Sequence, residues 1–264
     1  MYPYIHIFGK TIGSYAVASL VGFALCAGLV YHLCKRKGIA AEDVILLLVA
    51  AVTGIVLGGK ALYGLTHLER IIHAFAHFST FGQLWNELSI AFNGMVFYGG
   101  FIGSVTAMLI YTRVSKAFTR PFALDLLALV TPLFHVFGRI GCFLGGCCYG
   151  IECRWGITVQ NNPLLPELNG VTRFPVQLIE AGCNLLIFVI LMLLFRRKNK
   201  HTPLLRCYIF LYAPLRFLLE FFRGDLVRGI WFGLSTSQWI SILLLCVALG
   251  HALLGCRKRP RANG

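Results

Sequence analysis

Residues 44–65 read VILLLVAAVTGIVLGGKALYGL, a run of twenty-two positions in which Lys60 is the one charged side chain. A bilayer's hydrocarbon core accommodates about 20 apolar residues of helix, so a run of this length and purity reads as a membrane span. The pattern recurs on both sides. Further apolar runs lie at about 12–34, 91–112, 122–142, 175–195, 203–222 and 237–256, which gives seven expected spans. The first run has no basic segment before it and no small-x-small pattern after it, so it reads as a span and not as a removed signal peptide.

Composition agrees with that reading. The chain has 264 residues, 58% hydrophobic and 13% charged, with a mean hydropathy of +0.75. A water-soluble domain carries about 25% charged residues, so an ordinary soluble enzyme is excluded. The expected fold is an all-α membrane protein: a polytopic bundle of about seven transmembrane helices with a small extracytoplasmic cap, forming a single integral membrane domain over residues 1–264.

The formal charge is +14, from 24 Lys and Arg against 10 Asp and Glu. Fifteen of the basic residues fall in four blocks after the first, third and fifth runs and in the tail: 35–37, 113–120, 196–206 and 257–261. Short basic loops between apolar runs mark the cytoplasmic face and its anionic lipids, not a nucleic-acid partner. The N-terminus is then outside and the C-terminus in the cytoplasm, leaving two long outer segments, 66–90 and 143–174, to build the cap. In the first of these, Ile71, Ile72, Phe75 and Phe78 share one helical face and Glu69, His73 and His77 another, the pattern of an interfacial helix. His73 and His77 have metal-ligand spacing, but they lie on the polar stripe with no third ligand nearby, and they read as surface residues.

Ionisable groups inside a span cost about 2.5–3.5 kcal/mol each on insertion scales, so they call for a reason. Tyr212, Arg216 and Glu220 follow at i, i+4 and i+8, on one helical face beside Pro214, with Arg223 extending the stripe. His135 and Arg139 are also four apart, followed by Gly138, Gly141, Gly145, Gly146 and Gly150. So many glycines argue against a stable helix. The segment reads as a helix end opening into a loop whose amides, beside a fixed Arg, suit a phosphate; glycine used for close helix packing is the alternative. The third run opens with Tyr98, Gly99 and Gly100, and Gln177, Glu180 and Asn184 share a face of the fifth.

Taken together these segments resemble the prolipoprotein diacylglyceryl transferase family, bacterial membrane enzymes with seven spans in this orientation. The match includes Gly58-Gly59-Lys60-Ala61-Leu62-Tyr63, Phe97-Tyr98-Gly99-Gly100, Asp125, Gly138-Arg139-Ile140-Gly141 closing at Gly150, Pro175-x-Gln177-Leu178-x-Glu180, Tyr212-x-x-x-Arg216-x-x-x-Glu220-Phe221-x-Arg223 and Ser235-x-x-Gln238. The resemblance implies a multi-pass enzyme of the bacterial plasma (inner) membrane. It would transfer the diacylglyceryl group of phosphatidylglycerol to the lipobox cysteine of a prolipoprotein signal peptide, releasing glycerol 1-phosphate. No metal or organic cofactor is implied. A diverged paralogue with another acceptor, and a non-enzymatic lipid-binding or transport protein, are the alternatives.

Carried over residue by residue, the resemblance makes Arg139, Arg216 and Glu220 catalytic candidates; Tyr98, at the family's His position, and His135 complete the set. Arg139, Tyr15, Gly99, Gly100, Cys142, Gly150, Tyr212 and Arg223 become the substrate-binding candidates. The family carries His where this chain has Tyr98. A free phenol ionises near pH about 10 and a free imidazole near about 6.5, so His135, one turn from Arg139, is expected to supply the imidazole. The family's Asn, Asn and Glu are replaced by Cys142, Gly145 and Cys147, its Arg by Lys60 and a common His by Phe174. Cys142, Cys147, Cys148 and Cys153 fall within twelve residues. Disulfides stiffening this loop are the first expectation, free packing thiols the second and a Zn site the third.

Overall fold

The computed structural model describes residues 1–7, 9–163, 165–197, 203–225 and 230–257. Of the basic residues counted above, Lys198, Lys200, Arg228, Lys258, Arg259 and Arg261 lie outside this set. Among the described residues there are nine α-helices: α1 (Ser14–Lys35), α2 (Ala41–Thr66), α3 (Leu68–His77), α4 (Phe81–Ala91), α5 (Phe97–Val114), α6 (Arg120–Gly145), α7 (Val176–Arg196), α8 (Leu204–Leu219) and α9 (Thr236–Arg257). Three short antiparallel hairpins accompany them: β1 (Tyr4–Ile7) with β2 (Lys10–Gly13), β3 (Glu152–Thr158) with β4 (Thr172–Arg173), and β5 (Ile230–Trp231) with β6 (Leu234–Ser235).

Every expected span coincides with a helix. Among the described residues, five are long and apolar enough to cross a bilayer: α1, α2, α6, α7 and the stretch Thr236–Leu253 of α9. The third and sixth runs form α5 and α8, helices of 18 and 16 residues. Prolines set two of the starts, since Pro175 and Pro203 stand immediately before α7 and α8, where the missing N–H removes no helical bond. The glycine-rich end of the fourth run differs from expectation. α6 continues through Gly138 and Gly141 to Gly145, and the chain leaves the helix only at Gly146, with φ +73°, and Cys148, with φ +56°.

The chain divides into two compact units, Leu29–Leu127 and a second made of Met1–Gly28 with Ala128–Gly264; the cuts fall inside α1 and α6. In the Leu29–Leu127 unit, α2 and α5 meet backbone to backbone. A Cβ built on Gly58 would overlap the Gly99 carbonyl, and one on Gly103 the Gly54 carbonyl. Without a hydrophobic drive between helices in lipid, such small-residue contacts are what allow close packing. The helix pair is also pinned at its other end, where Tyr111 Oη (3.1 Å) and Ser115 Oγ (3.1 Å) both donate to the Asp43 carboxylate. Lys60 Nζ donates to the Phe92 carbonyl at 3.0 Å. α3 has the amphipathic character read from its sequence: Ile72, Phe75 and Phe78 are exposed while Ala74 is buried. The His73 and His77 rings stack at 4.3 Å on that helix.

In the other unit, α1 lies along α6. Gly22 faces Phe137, Gly141 faces the Tyr15 ring, and the Cys26 thiol donates to the Val130 carbonyl at 3.6 Å. Contact with α1 is the physical reason that α6 tolerates Gly141: a helical glycine is disfavoured by about 1 kcal/mol relative to alanine, and tertiary packing outweighs that here. A direct check is thermal unfolding of glycine variants in detergent. Gly58→Leu should lower stability by more than about 1–3 kcal/mol, the usual effect of overpacking. Gly182→Ala, whose added carbon meets nothing within 4 Å, should leave the melting temperature unchanged or slightly raised.

Candidate active site

The most apolar helix carries a fully buried polar stripe. On α7, Gln177, Glu180 and Asn184 are only 3%, 2% and 0% exposed. A carboxylate removed from water requires a counter-charge and hydrogen bonds, and Glu180 obtains both from neighbouring helices. Arg139 Nε on α6 pairs with its Oε2 at 3.0 Å, and Tyr212 Oη on α8 donates to its Oε1 at 3.4 Å. The His135 ring stacks on Tyr212 with centroids 5.2 Å apart, and Tyr208 stacks on the other side at 5.3 Å. Glu180 thus joins three helices, and the expected pair His135 and Arg139 faces the expected Tyr212 through it.

A second ion pair follows on α8. Arg216 Nη2 meets Glu220 Oε2 at 2.7 Å, the i, i+4 pairing read from the sequence, and donates to Ser237 Oγ at 3.2 Å. Arg216 is buried, and its Nη1 has no hydrogen-bond partner among the described residues. A buried guanidinium N–H left unsatisfied costs about 1–3 kcal/mol or more, and it is a donor held ready for an acceptor. Each arginine already has a carboxylate, so the four buried charges of Arg139, Glu180, Arg216 and Glu220 sum to zero.

The stripe does not continue to Arg223. α8 ends at Leu219, residues 220–222 form one 3-10 turn, and Arg223 instead makes a bidentate pair with Asp225 at 3.0 and 2.7 Å. The strand-like bridge of Arg223 with Gly150 holds two loops together, supported by Ile151 N–H to the Phe222 carbonyl and Gly224 N–H to the Tyr149 carbonyl, both 3.0 Å. Gly150 is glycine for that reason: a Cβ there would overlap the Phe174 carbonyl. Arg173, missed by sequence reasoning, donates to the Gly150 carbonyl at 3.1 Å, pairs with Glu152 at 2.9 Å and lies 4.7 Å over the Tyr149 ring.

Tyr15, half exposed near the start of α1, lies beside Gly141, two residues beyond Arg139. Arg139, Arg216, Glu220, His135, Tyr212 and Tyr15 therefore all belong to one unit, with Cys142, Gly150 and Arg223. Tyr98, Gly99 and Gly100 belong to the other, where Gly99 and Gly100 are buried against α2. The cysteines depart from expectation. Cys142, Cys147, Cys148 and Cys153 are all free thiols, and the first three point their sulfurs at one another. Sequence reasoning also left Glu180 and Ser237 out of the site. The polar stripe at 177, 180 and 184 was the available signal for Glu180; nothing in the sequence singled out Ser237.

Comparison with known proteins places this chain in a family. The family model for prolipoprotein diacylglyceryl transferase matches residues 3–254. A phosphatidylglycerol–prolipoprotein diacylglyceryl transferase of Clostridium tetani is 29% identical over 245 residues, covering 92% of this chain and 93% of that protein. Its counterpart from Helicobacter pylori strain Shi470 is 30% identical over 274 residues, covering 98% and 92%. The Campylobacter hominis protein is 34% identical over 198 residues, covering 73% and 67%. With the model spanning nearly the whole chain, the protein belongs to the prolipoprotein diacylglyceryl transferase family.

Proposed function

We propose that this protein transfers the diacylglyceryl group of phosphatidylglycerol to the lipobox cysteine thiol of prolipoproteins, the first step of lipoprotein maturation. The observation that carries the mechanism is the buried Nη1 of Arg216, which has no hydrogen-bond partner among the described residues, beside a charge-balanced pair of ion pairs. The reaction is displacement at a glycerol carbon. The substrate thiolate forms the S–C bond, the C–O bond to phosphate breaks, and glycerol 1-phosphate leaves as a phosphate monoester anion. Arg216 and Arg139 offer guanidinium donors to that phosphate, and donors fixed in a site without water stabilise the charge that develops on the leaving oxygen. Glu180 and Glu220 hold the two guanidinium groups in place before substrate arrives. Because they also neutralise them, the phospholipid binds through directed hydrogen bonds more than through net charge.

His135, stacked on Tyr212 one turn from Arg139, takes the proton of the incoming thiol, the role that the family His would have at Tyr98. Tyr15, Tyr212, Cys142, Gly150 and Arg223 line the approach of the lipid head group; Gly99 and Gly100 of α5 serve close packing on α2. The seven helices α1, α2, α5, α6, α7, α8 and α9 cross the plasma membrane with the N-terminus outside. Residues 66–90, with the amphipathic α3, and residues 143–174, with the β3–β4 hairpin, are the outer segments of the membrane protein. The phospholipid enters sideways from the bilayer.

The activity is read with phosphatidylglycerol labelled in its terminal glycerol. Membranes holding the protein should release water-soluble glycerol phosphate with a lipobox cysteine peptide and not with its Cys→Ser version. Release independent of the peptide, or no release, contradicts the proposal. Arg216→Ala should lower the rate by about 10²- to 10³-fold, the usual effect of losing one oxyanion donor. His135→Ala should lower it as well, and full activity in that variant would remove His135 from the mechanism. Glu180→Gln leaves Arg139 without its counter-charge and should destabilise the fold by about 3–5 kcal/mol, read as a lower melting temperature in detergent.

A further inference from the structure

Past the end of α6 the chain turns back so that Cys147 and Cys148 meet Cys142. The three sulfurs lie within 4.8 Å of one another. In a tetrahedral thiolate site with Zn–S bonds of about 2.3 Å, neighbouring sulfurs are about 3.8 Å apart, so side-chain rotation alone closes the difference. We propose that Cys142, Cys147 and Cys148 form a three-thiolate site for a thiophilic d10 cation of the Zn2+ class, with a fourth coordination position open to water or an exogenous thiol.

Two features favour a built site over chance packing of small thiols. First, Cys148 adopts φ +56° although it is not glycine, and Gly146 before it adopts +73°. A side-chain-bearing residue in the left-handed region stores about 1–3 kcal/mol unless its surroundings fix it, and here that conformation delivers the third sulfur.

Second, the turn is held by partners from distant parts of the chain. Tyr2 N–H donates to the Leu144 carbonyl at 3.0 Å, Asn162 Nδ2 to the Gly146 carbonyl at 3.1 Å, and Gln177 Nε2 to the Cys147 carbonyl at 2.9 Å. Cys147 N–H closes the turn onto the Cys142 carbonyl at 3.1 Å. The ligand frame therefore exists before any metal arrives.

Metal binding would release up to three protons to solvent, so affinity should rise with pH as the thiols deprotonate.

The site does not depend on the transferase reading, and its test reads metal directly. Full-length protein purified in detergent without chelator should retain about one Zn2+ per chain by elemental analysis. Exchange into Co2+ should give a thiolate-to-cobalt charge-transfer band in the near ultraviolet. The band should disappear in Cys142→Ser/Cys147→Ser/Cys148→Ser and persist in Cys183→Ser. If the triple variant fails to fold, mass-spectrometric mapping of alkylation on the unmodified protein decides: Zn2+ should slow labelling of Cys142, Cys147 and Cys148 and leave Cys183 unaffected. No cobalt band with added metal, a band that survives in the folded triple variant, or Zn2+-independent alkylation of the three thiols overturns the proposal.

Discussion

A guanidinium group placed among apolar helices must bring its counter-charge with it, and the Arg139–Glu180 pair meets that requirement across two helices at 3.0 Å. The Coulomb attraction of such a pair is strong in a low-dielectric interior, but so is the desolvation penalty, and the balance is favourable only when the remaining lone pairs are also satisfied. Here Tyr212 supplies the extra donor, which draws α8 into the same contact. The register among α6, α7 and α8 follows from this one carboxylate. Every residue assigned to the reaction in this unit, from His135 to Ser237, sits on or next to the three helices it joins.

The second pair, Arg216–Glu220, works under the same constraint with a different outcome. Its charge is matched within one short stretch of chain, and Ser237 adds a hydroxyl from α9, yet among the described residues one Nη of Arg216 has no partner. The protein thus carries two arginines whose orientation is fixed at rest and whose net charge is cancelled at rest. Such a site discriminates by geometry. A phosphate must present oxygens where the free N–H groups point, and the leaving phosphate, gaining charge as the bond breaks, interacts more strongly than the starting phosphodiester. The acidic partners also explain how arginines can be retained among membrane helices without an anion always bound.

Much of this was legible in the chain. The apolar runs located every long helix, and the spacing of Arg216 and Glu220 specified their ion pair, because both features depend on neighbours along the sequence. The reading failed where tertiary contacts decide. The glycines of α6 argued for a loop by local propensity, but α6 packs on α1, Gly141 against Tyr15 and Phe137 against Gly22, and runs as helix to Gly145. Arg223 looked like a continuation of the stripe, but the helix ends at Leu219 and its side chain turns to Asp225. Glu180 announced itself as a polar residue in an apolar run without revealing that Arg139 would meet it. The thiols of Cys142, Cys147 and Cys148 were visible as a cluster in sequence, whereas their convergence depends on the left-handed turn at Gly146 and Cys148.

The central claim is that this charge-paired site lipidates prolipoproteins, and the most direct measurement is rescue of bacterial cells depleted of their own transferase. The account predicts that expressing this protein restores growth and converts accumulated prolipoprotein to its lipid-modified form, whereas an Arg139→Ala version present in the membrane at the same level does neither. Unmodified prolipoprotein persisting in cells that hold the intact protein in their membranes, or equal rescue by the Arg139→Ala version, would contradict it.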